Sequence, residues 1–184
     1  NSSGDLINID TKNGQIFWTK NIMSSMFAHD TDFFQSSDVV IHDENIIFSA
    51  SSSAFSIDLN NAVINWKIEI DSTNTPIVDG DNIFLLSNDG YFLNVDKTNG
   101  KIIWSTNLFK ILKKKKRETI VTGFILASGK IYATTLNGLV IVASATSGKV
   151  EKYFKIGGKI SASPIISNGA MYILTDDQKI IGYK

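Results

Sequence analysis

One pattern returns four times along the 184 residues and leaves little freedom in the choice of fold. Each copy starts with a short apolar run, closes a turn between an Asp and a Gly, and ends on a Trp. The first reads Gly4-Asp-Leu-Ile-Asn-Ile-Asp10, Thr-Lys-Asn-Gly14, Gln-Ile-Phe-Trp18. The second is Ser52-Ser-Ala-Phe-Ser-Ile-Asp58, Leu-Asn-Asn-Ala62, Val-Ile-Asn-Trp66. The third is Gly90-Tyr-Phe-Leu-Asn-Val-Asp96, Lys-Thr-Asn-Gly100, Lys-Ile-Ile-Trp104. A weaker fourth, Gly138-Leu-Val-Ile-Val-Ala-Ser144, Ala-Thr-Ser-Gly148, Lys-Val-Glu-Lys152, keeps the Gly but replaces Asp and Trp. The anchors Asp10, Asp58, Asp96 and Ser144 stand 48, 38 and 48 residues apart. A period of roughly 40–50 residues made only of short alternating segments is the signature of four-stranded propeller blades.

The stretches between anchors supply the remaining strands. Two strand-like runs fall in each gap: 38–41 with 45–49, 76–78 with 82–86, 119–126 with 130–134, and 164–166 with 171–174. Short linkers rich in Gly and Asn or Asp, at 78–81, 127–130 and 167–170, read as hairpin turns. Only two prolines interrupt a chain rich in Ile, Val and Phe, and no segment carries a sustained 3.6-residue period with caps. The expected fold is all-β, a β-propeller of four-stranded antiparallel blades, about four of them, filling residues 1–184. In each turn the Asp side chain can accept amide hydrogen bonds while Gly supplies the positive φ that closes it. The Trp, four residues on, lies in the next strand, where its face can fill the gap to a neighbouring blade.

These residues resemble the tryptophan-docking repeats of PQQ-like, quinoprotein-type propellers, in which each Trp wedges against the turn Gly of a neighbouring blade. Asp10, Gly14 and Trp18, and Asp96, Gly100 and Trp104, match the Asp, Gly and Trp positions; Asn8 and Asn94 replace the family's Ala. Asp58 and Trp66 match around Ala62, and Gly148 stands alone in the fourth repeat, whose docking is expected to be looser or made by other side chains. Within the family, the layout is similar to the lipoprotein propeller of the outer-membrane β-barrel assembly machinery. That resemblance implies a non-catalytic, periplasmic, outer-membrane-associated scaffold, and a partner that is a BamA-like barrel protein or its POTRA domains. It also implies an eight-bladed ring of which this chain holds the C-terminal half, with open blade edges through which an isolated copy is expected to self-associate.

Composition narrows the chemistry. Eighteen basic and 18 acidic residues cancel, which gives no global reason to expect nucleic acid as a partner. The apolar runs 120–127 and 139–145 are too short to span a bilayer as helices. Without cysteine there is no disulfide and no thiolate metal site. A quinoprotein dehydrogenase, the alternative within the family together with a ligand-sensing propeller, needs hard oxygen ligands for Ca²⁺ and a catalytic carboxylate. No such pattern is present, and the anchor carboxylates are assigned to turns, so neither a cofactor nor catalysis is expected. His29 and His42, beside Asp30 and Asp43, read as loop histidines rather than metal ligands.

Two loop segments remain as candidates for partner binding. The basic run Lys113, Lys114, Lys115, Lys116 and Arg117 suits an acidic partner or anionic headgroups, set against a default reading as a solvated loop. The connection 21–37 mixes Met23, Met26 and Phe27 with Asp30 and Asp32. In the family an Asp-x-Asp pair in the corresponding loop lies on the face that meets the barrel protein, and Asp30 and Asp32 match that pair.

Overall fold

The computed structural model describes residues 3–23, 34–50, 52–112 and 119–184. Two strands, β1 (Asp5–Ile9) and β2 (Ile16–Asn21), form the first sheet. The second holds β3 (Val40–His42), β4 (Asn45–Ala50), β5 (Ser53–Asp58) and β6 (Ile64–Glu69). The third holds β7 (Ile77–Asp79), β8 (Asn82–Leu86), β9 (Tyr91–Asp96) and β10 (Ile102–Asn107). The fourth holds β11 (Val121–Ala127), β12 (Lys130–Thr135), β13 (Leu139–Ser144) and β14 (Val150–Lys155). A last sheet joins β15 (Ile165–Ser167), β16 (Ala170–Leu174) and β17 (Ile180–Tyr183). Pairing is antiparallel and between sequence neighbours throughout. A 3-10 turn, Leu108–Leu112, follows β10.

The sequence repeat and the blade are out of phase. Each Asp-to-Trp motif is the hairpin between the third and fourth strands of a sheet, so four motifs bracket three complete blades. The middle strands read as unbroken apolar runs because both of their faces are covered. In β4, Ile46, Phe48 and Ala50 pack toward the first sheet, while Ile47 packs toward the third. Phe84, Leu86 and Phe92 face the fourth sheet, where they meet Ile131, Ala133 and Ile141. The core is therefore a row of four inter-sheet layers rather than one centre.

The motif hairpins share one irregularity. Asn8 pairs with Trp18 and Ile9 with Ile16, so Phe17 has no partner across the strand. The same shift skips Asn65, Ile103 and Glu151 in the later hairpins. A β-bulge of this kind twists its strand and re-aims the following side chain, which here is Trp18, Trp66, Trp104 or Lys152. The Asp caps hold the turns that receive these side chains. The Asp10 Oδ1 accepts from the Lys12 amide at 2.8 Å, that of Asp58 from Asn60 at 2.8 Å, and that of Asp96 from Thr98 at 2.8 Å.

Docking then follows a fixed geometry. The Trp18 indole Nε1–H donates to the Leu59 carbonyl at 2.9 Å, and that of Trp66 donates to the Lys97 carbonyl at 2.9 Å. Both acceptors directly follow the anchor Asp of the next sheet. A Cβ on Gly100 would lie 2.7 Å from Trp66, and one on Gly148 would lie 2.6 Å from Trp104, so each ring rests on a bare Cα. Gly14 differs: it has the same positive φ, 74°, but open space around it. Ala62 holds the corresponding turn with φ 59°, buried beside Trp18.

In the third interface the ring is seated but its hydrogen bond is missing. The Trp104 Nε1 is buried without a hydrogen-bond partner among the described residues. Its ring instead meets Phe92 edge-on at 4.9 Å, with Phe84 at 6.3 Å. In the fourth interface, where Lys152 takes the Trp position, the seal is made by Phe154 and Tyr183, 5.6 Å apart, over Val140, Met171 and Ile173.

Two sets of substitutions test this account by equilibrium urea denaturation. Gly100→Ala forces a side chain into both a left-handed backbone and the Trp66 ring, and should cost about 2–4 kcal/mol. Ala62→Gly relieves the left-handed strain and should stabilise by about 0.5–1 kcal/mol. Trp66→Phe strands the Lys97 carbonyl and should cost about 1–3 kcal/mol beyond the lost contact area. Trp104→Phe, with no hydrogen bond to lose, should cost less than Trp66→Phe.

Candidate functional site

A four-stranded antiparallel meander sorts its loops by end. The first-to-second and third-to-fourth turns lie at one end of each sheet. The second-to-third turns and the connections to the next sheet lie at the other, the connection face. The connections 70–76 and 156–164 and the described ends of 22–39 and 108–120 thus share one face, with the turns 87–90, 136–138 and 175–179. Asp30 and Asp32 belong to the connection 22–39, and Lys113, Lys114, Lys115, Lys116 and Arg117 to 108–120. All seven lie outside the described residues, as do His29, Met26 and Phe27.

The ends of both segments are fixed. Ile22 is buried and its amide donates to the Gly4 carbonyl at 2.8 Å, while Phe34 packs at the rim of the same layer. Ser36 bridges to Ala50 just before β3. Met23 is 41% exposed, with its side chain lying over Gly4, where a Cβ would come within 2.6 Å of it. The basic segment leaves from the 3-10 turn, whose Leu108 and Phe109 are buried. Phe109 lies over Gly90, where a Cβ would come within 2.6 Å of its ring. The described ends of the two connections are thus anchored in the first and third of the four inter-sheet layers.

A second repeated device on this face escaped the sequence reading. The Ser87 hydroxyl accepts from the Tyr91 amide at 2.7 Å and donates to the Asp89 carboxylate. Thr135 accepts from the Leu139 amide at 3.1 Å and donates to the Asn137 carbonyl at 2.6 Å. Thr175 donates to Asp177 at 2.5 Å. The signal is visible as Ser or Thr, then Asp or Asn two residues on, once in each of the last three sheets. Lys179 and Thr175 hold the Asp177 carboxyl below the ordinary carboxylate range, and Lys179 is raised in return.

The opposite face carries exposed charge pairs. Lys97 Nζ lies 2.9 Å from Asp43 Oδ2, joining the first turn of the second sheet to the motif turn of the third. The hydrogen bond from Lys97, with the nearby His42, holds Asp43 below the usual carboxylate value. Lys130 is raised by its hydrogen bond to Glu151, 2.6 Å away. Among the described residues no three His, Asp or Glu side chains converge on a common point. The anchor carboxylates are spent on turn amides.

Comparison with known proteins now bears on this architecture. A family model described as outer membrane protein assembly factor BamB matches residues 1–106, more than half of the chain. The chain belongs to that family. The BamB of Legionella pneumophila (strain Paris) is 19% identical over 180 residues, which cover 96% of this chain and 45% of that protein. The chain thus spans less than half the length of the curated relative it matches. In fold it is similar to BamB from Moraxella catarrhalis, with a TM-score of 0.74 at 15% identity, covering 99% of this chain and 52% of the other. It is also similar to the quinohemoprotein alcohol dehydrogenase of Comamonas testosteroni, with a TM-score of 0.64 at 14% identity over 76% of this chain and 28% of that one. The computationally designed Ika8 protein gives a TM-score of 0.73 at 8% identity, over 99% of this chain and 53% of that one. The five sheets are the blades of a BamB-family β-propeller.

The Asp43–Lys97 pair gives this section its test. A depressed Asp pKa contributes stability that is present above the ordinary value, 3.8, and is lost as pH falls through the lowered one. Carboxyl-detected NMR titration should place Asp43 below the ordinary carboxylate value. Lys97→Gln should return it to the ordinary range, and high salt should narrow the gap.

Proposed function

We propose that this chain is part of a non-catalytic, periplasmic scaffold, held at the outer membrane, that assists the assembly and insertion of outer-membrane β-barrel proteins. Family membership carries the reading. What the sheets do with their chemistry supports it: the Asp-Gly-Trp residues that give the wider family its name are consumed in joining one blade to the next. Binding is left to the connection face, where a rigid stack of blades holds its loops in fixed places.

On this reading the chain is half of an eight-bladed ring. Its partner is a BamA-like barrel protein or the POTRA domains of one. Asp30 and Asp32 contact that partner, and the basic residues 113–117 of the third connection offer a second, electrostatic contact. A dehydrogenase or ligand-sensing role has less support, because the carboxylates it would require are committed to turns.

Capture of a purified POTRA-domain array by the chain, followed by surface plasmon resonance, tests the proposal. Asp30→Ala with Asp32→Ala should weaken capture about tenfold or more without lowering the melting temperature. Undiminished capture, or a large fall in melting temperature, would remove the pair from the binding face. Added PQQ and Ca²⁺ should leave the melting temperature unchanged; stabilisation would favour the enzyme-like reading.

A further inference from the structure

Two clefts occupy equivalent places on successive blades, and their linings carry opposite chemistry. The first, about 380 Å³, lies between the end of β6 and the outer strands of the third sheet. Glu69, Asp71, Asp89, Tyr91 and Ser105 line it. The second, about 480 Å³, lies between the 3-10 turn and the outer strands of the fourth sheet. Its lining includes Ile111, Leu112, Leu139, Tyr153, Phe154 and Lys155. The correspondence is positional: Tyr91 and Leu139 open β9 and β13, and Ser105 and Tyr153 directly follow Trp104 and Lys152.

Among the described residues that line the second cleft none is acidic. Lys155 stands in its lining, and Lys110 sits in the 3-10 turn that contributes Ile111 and Leu112. Neither lysine forms an ion pair among the described residues. Leu112 and Thr119, both lining residues, flank in sequence the segment 113–118, which holds the five-residue basic run followed by Glu118. Tyr153 is 55% exposed and forms part of the wall of the cleft. Its counterpart in the preceding blade is the small, polar Ser105.

We infer that this cleft docks an acidic, extended segment of a protein partner. One apolar side chain of the segment enters between Tyr153, Leu139 and Leu112, and flanking carboxylates meet Lys155 and Lys110. The volume suits one or two side chains, and aromatic walls with a charged rim are the ordinary anatomy of a peptide-anchor pocket. A bilayer surface is a poorer match, because it is met by protruding apolar groups, whereas this site is recessed and has the amide of Asn137 in its lining. The inference rests on the scaffold reading above but not on the identity of the partner.

Fluorescence anisotropy with the 184-residue chain tests it, using a dye-labelled peptide that alternates Asp or Glu with Phe or Leu. Binding should saturate and weaken as salt is raised. Tyr153→Ser and Lys155→Glu, both at exposed positions, should each weaken it roughly tenfold with unchanged melting temperature. Tyr91→Ser, in the acidic cleft, should leave it unchanged, and a peptide with Lys in place of the acids should not compete. Affinity undiminished from that of the unaltered chain in both the Tyr153 and the Lys155 variants would overturn the proposal. So would preferential binding to phosphatidylglycerol vesicles over the peptide, which would make the basic face a lipid contact. Peptide binding without POTRA capture would leave this site standing and remove the partner proposed above.

Discussion

Neighbouring blades are joined through an indole that must satisfy two conditions at once. Its ring needs a Cα without a side chain to lie on, and its N–H needs a carbonyl within reach. Trp66 meets both, resting on Gly100 and donating to Lys97. Neither condition is local to Trp66. The bulge that skips Asn65 aims the ring, and the Asp96 cap freezes the neighbouring turn so that the Lys97 carbonyl faces outward. An indole hydrogen bond buried between two sheets is costly to leave unmade. The cap, the bulge and the bare Cα are therefore three parts of one joint.

The four joints depart from that arrangement in an instructive order. Trp18 keeps the hydrogen bond but sits beside Ala62, which accepts a left-handed backbone to preserve the turn. Trp104 keeps the glycine, loses the hydrogen bond, and is surrounded by Phe84 and Phe92. Lys152 abandons the indole, and Phe154 with Tyr183 takes over its burial. Where the indole hydrogen bond is absent, at Trp104 and Lys152, aromatic contacts help to fill the layer. Ser144 shows the same economy: its hydroxyl accepts from Ser147 at 3.3 Å, longer than the 2.8 Å of the Asp caps. Blade packing has thus survived the loss of the residues that define the repeat, because area burial is less demanding of geometry than a hydrogen bond.

Much of this fold was legible in the sequence, and the reasons are physical. A spacing of eight between Asp and Trp recurs because both ends of a tight hairpin are fixed by the same turn. The middle strands announced themselves as apolar runs because both faces are buried. The bulge was not legible, since a skipped residue changes register without changing composition: Phe17, Asn65, Ile103 and Glu151 share nothing chemically. Nor was the 3-10 turn at Leu108–Leu112, too short for periodicity to register. The hydroxyl-to-Asx turns at Ser87, Thr135 and Thr175 were visible in retrospect but were masked by the stronger motif. The candidate binding residues were chosen by charge and family likeness alone, and the two clefts needed coordinates, because each is assembled from strands of different hairpins.

The joint also explains where chemistry is free to change. Positions that face the next blade are bound by shape: Gly100 and Gly148 admit no side chain, and Ile83, Leu85, Ile131 and Ile141 are fully enclosed. Positions one residue away, on the rim, carry no such burden. Ser105 and Tyr153 follow corresponding strand residues, yet one is small and polar and the other a half-exposed ring. Asp89 and Asn137 make the same turn with the same hydroxyl partner geometry, yet differ by a full charge. A propeller built this way can alter the face it presents one blade at a time, holding the backbone constant. Electrostatic character is then a property of a single blade interface rather than of the whole chain. A net charge of zero over 184 residues conceals an acidic recess and a basic one on adjoining blades.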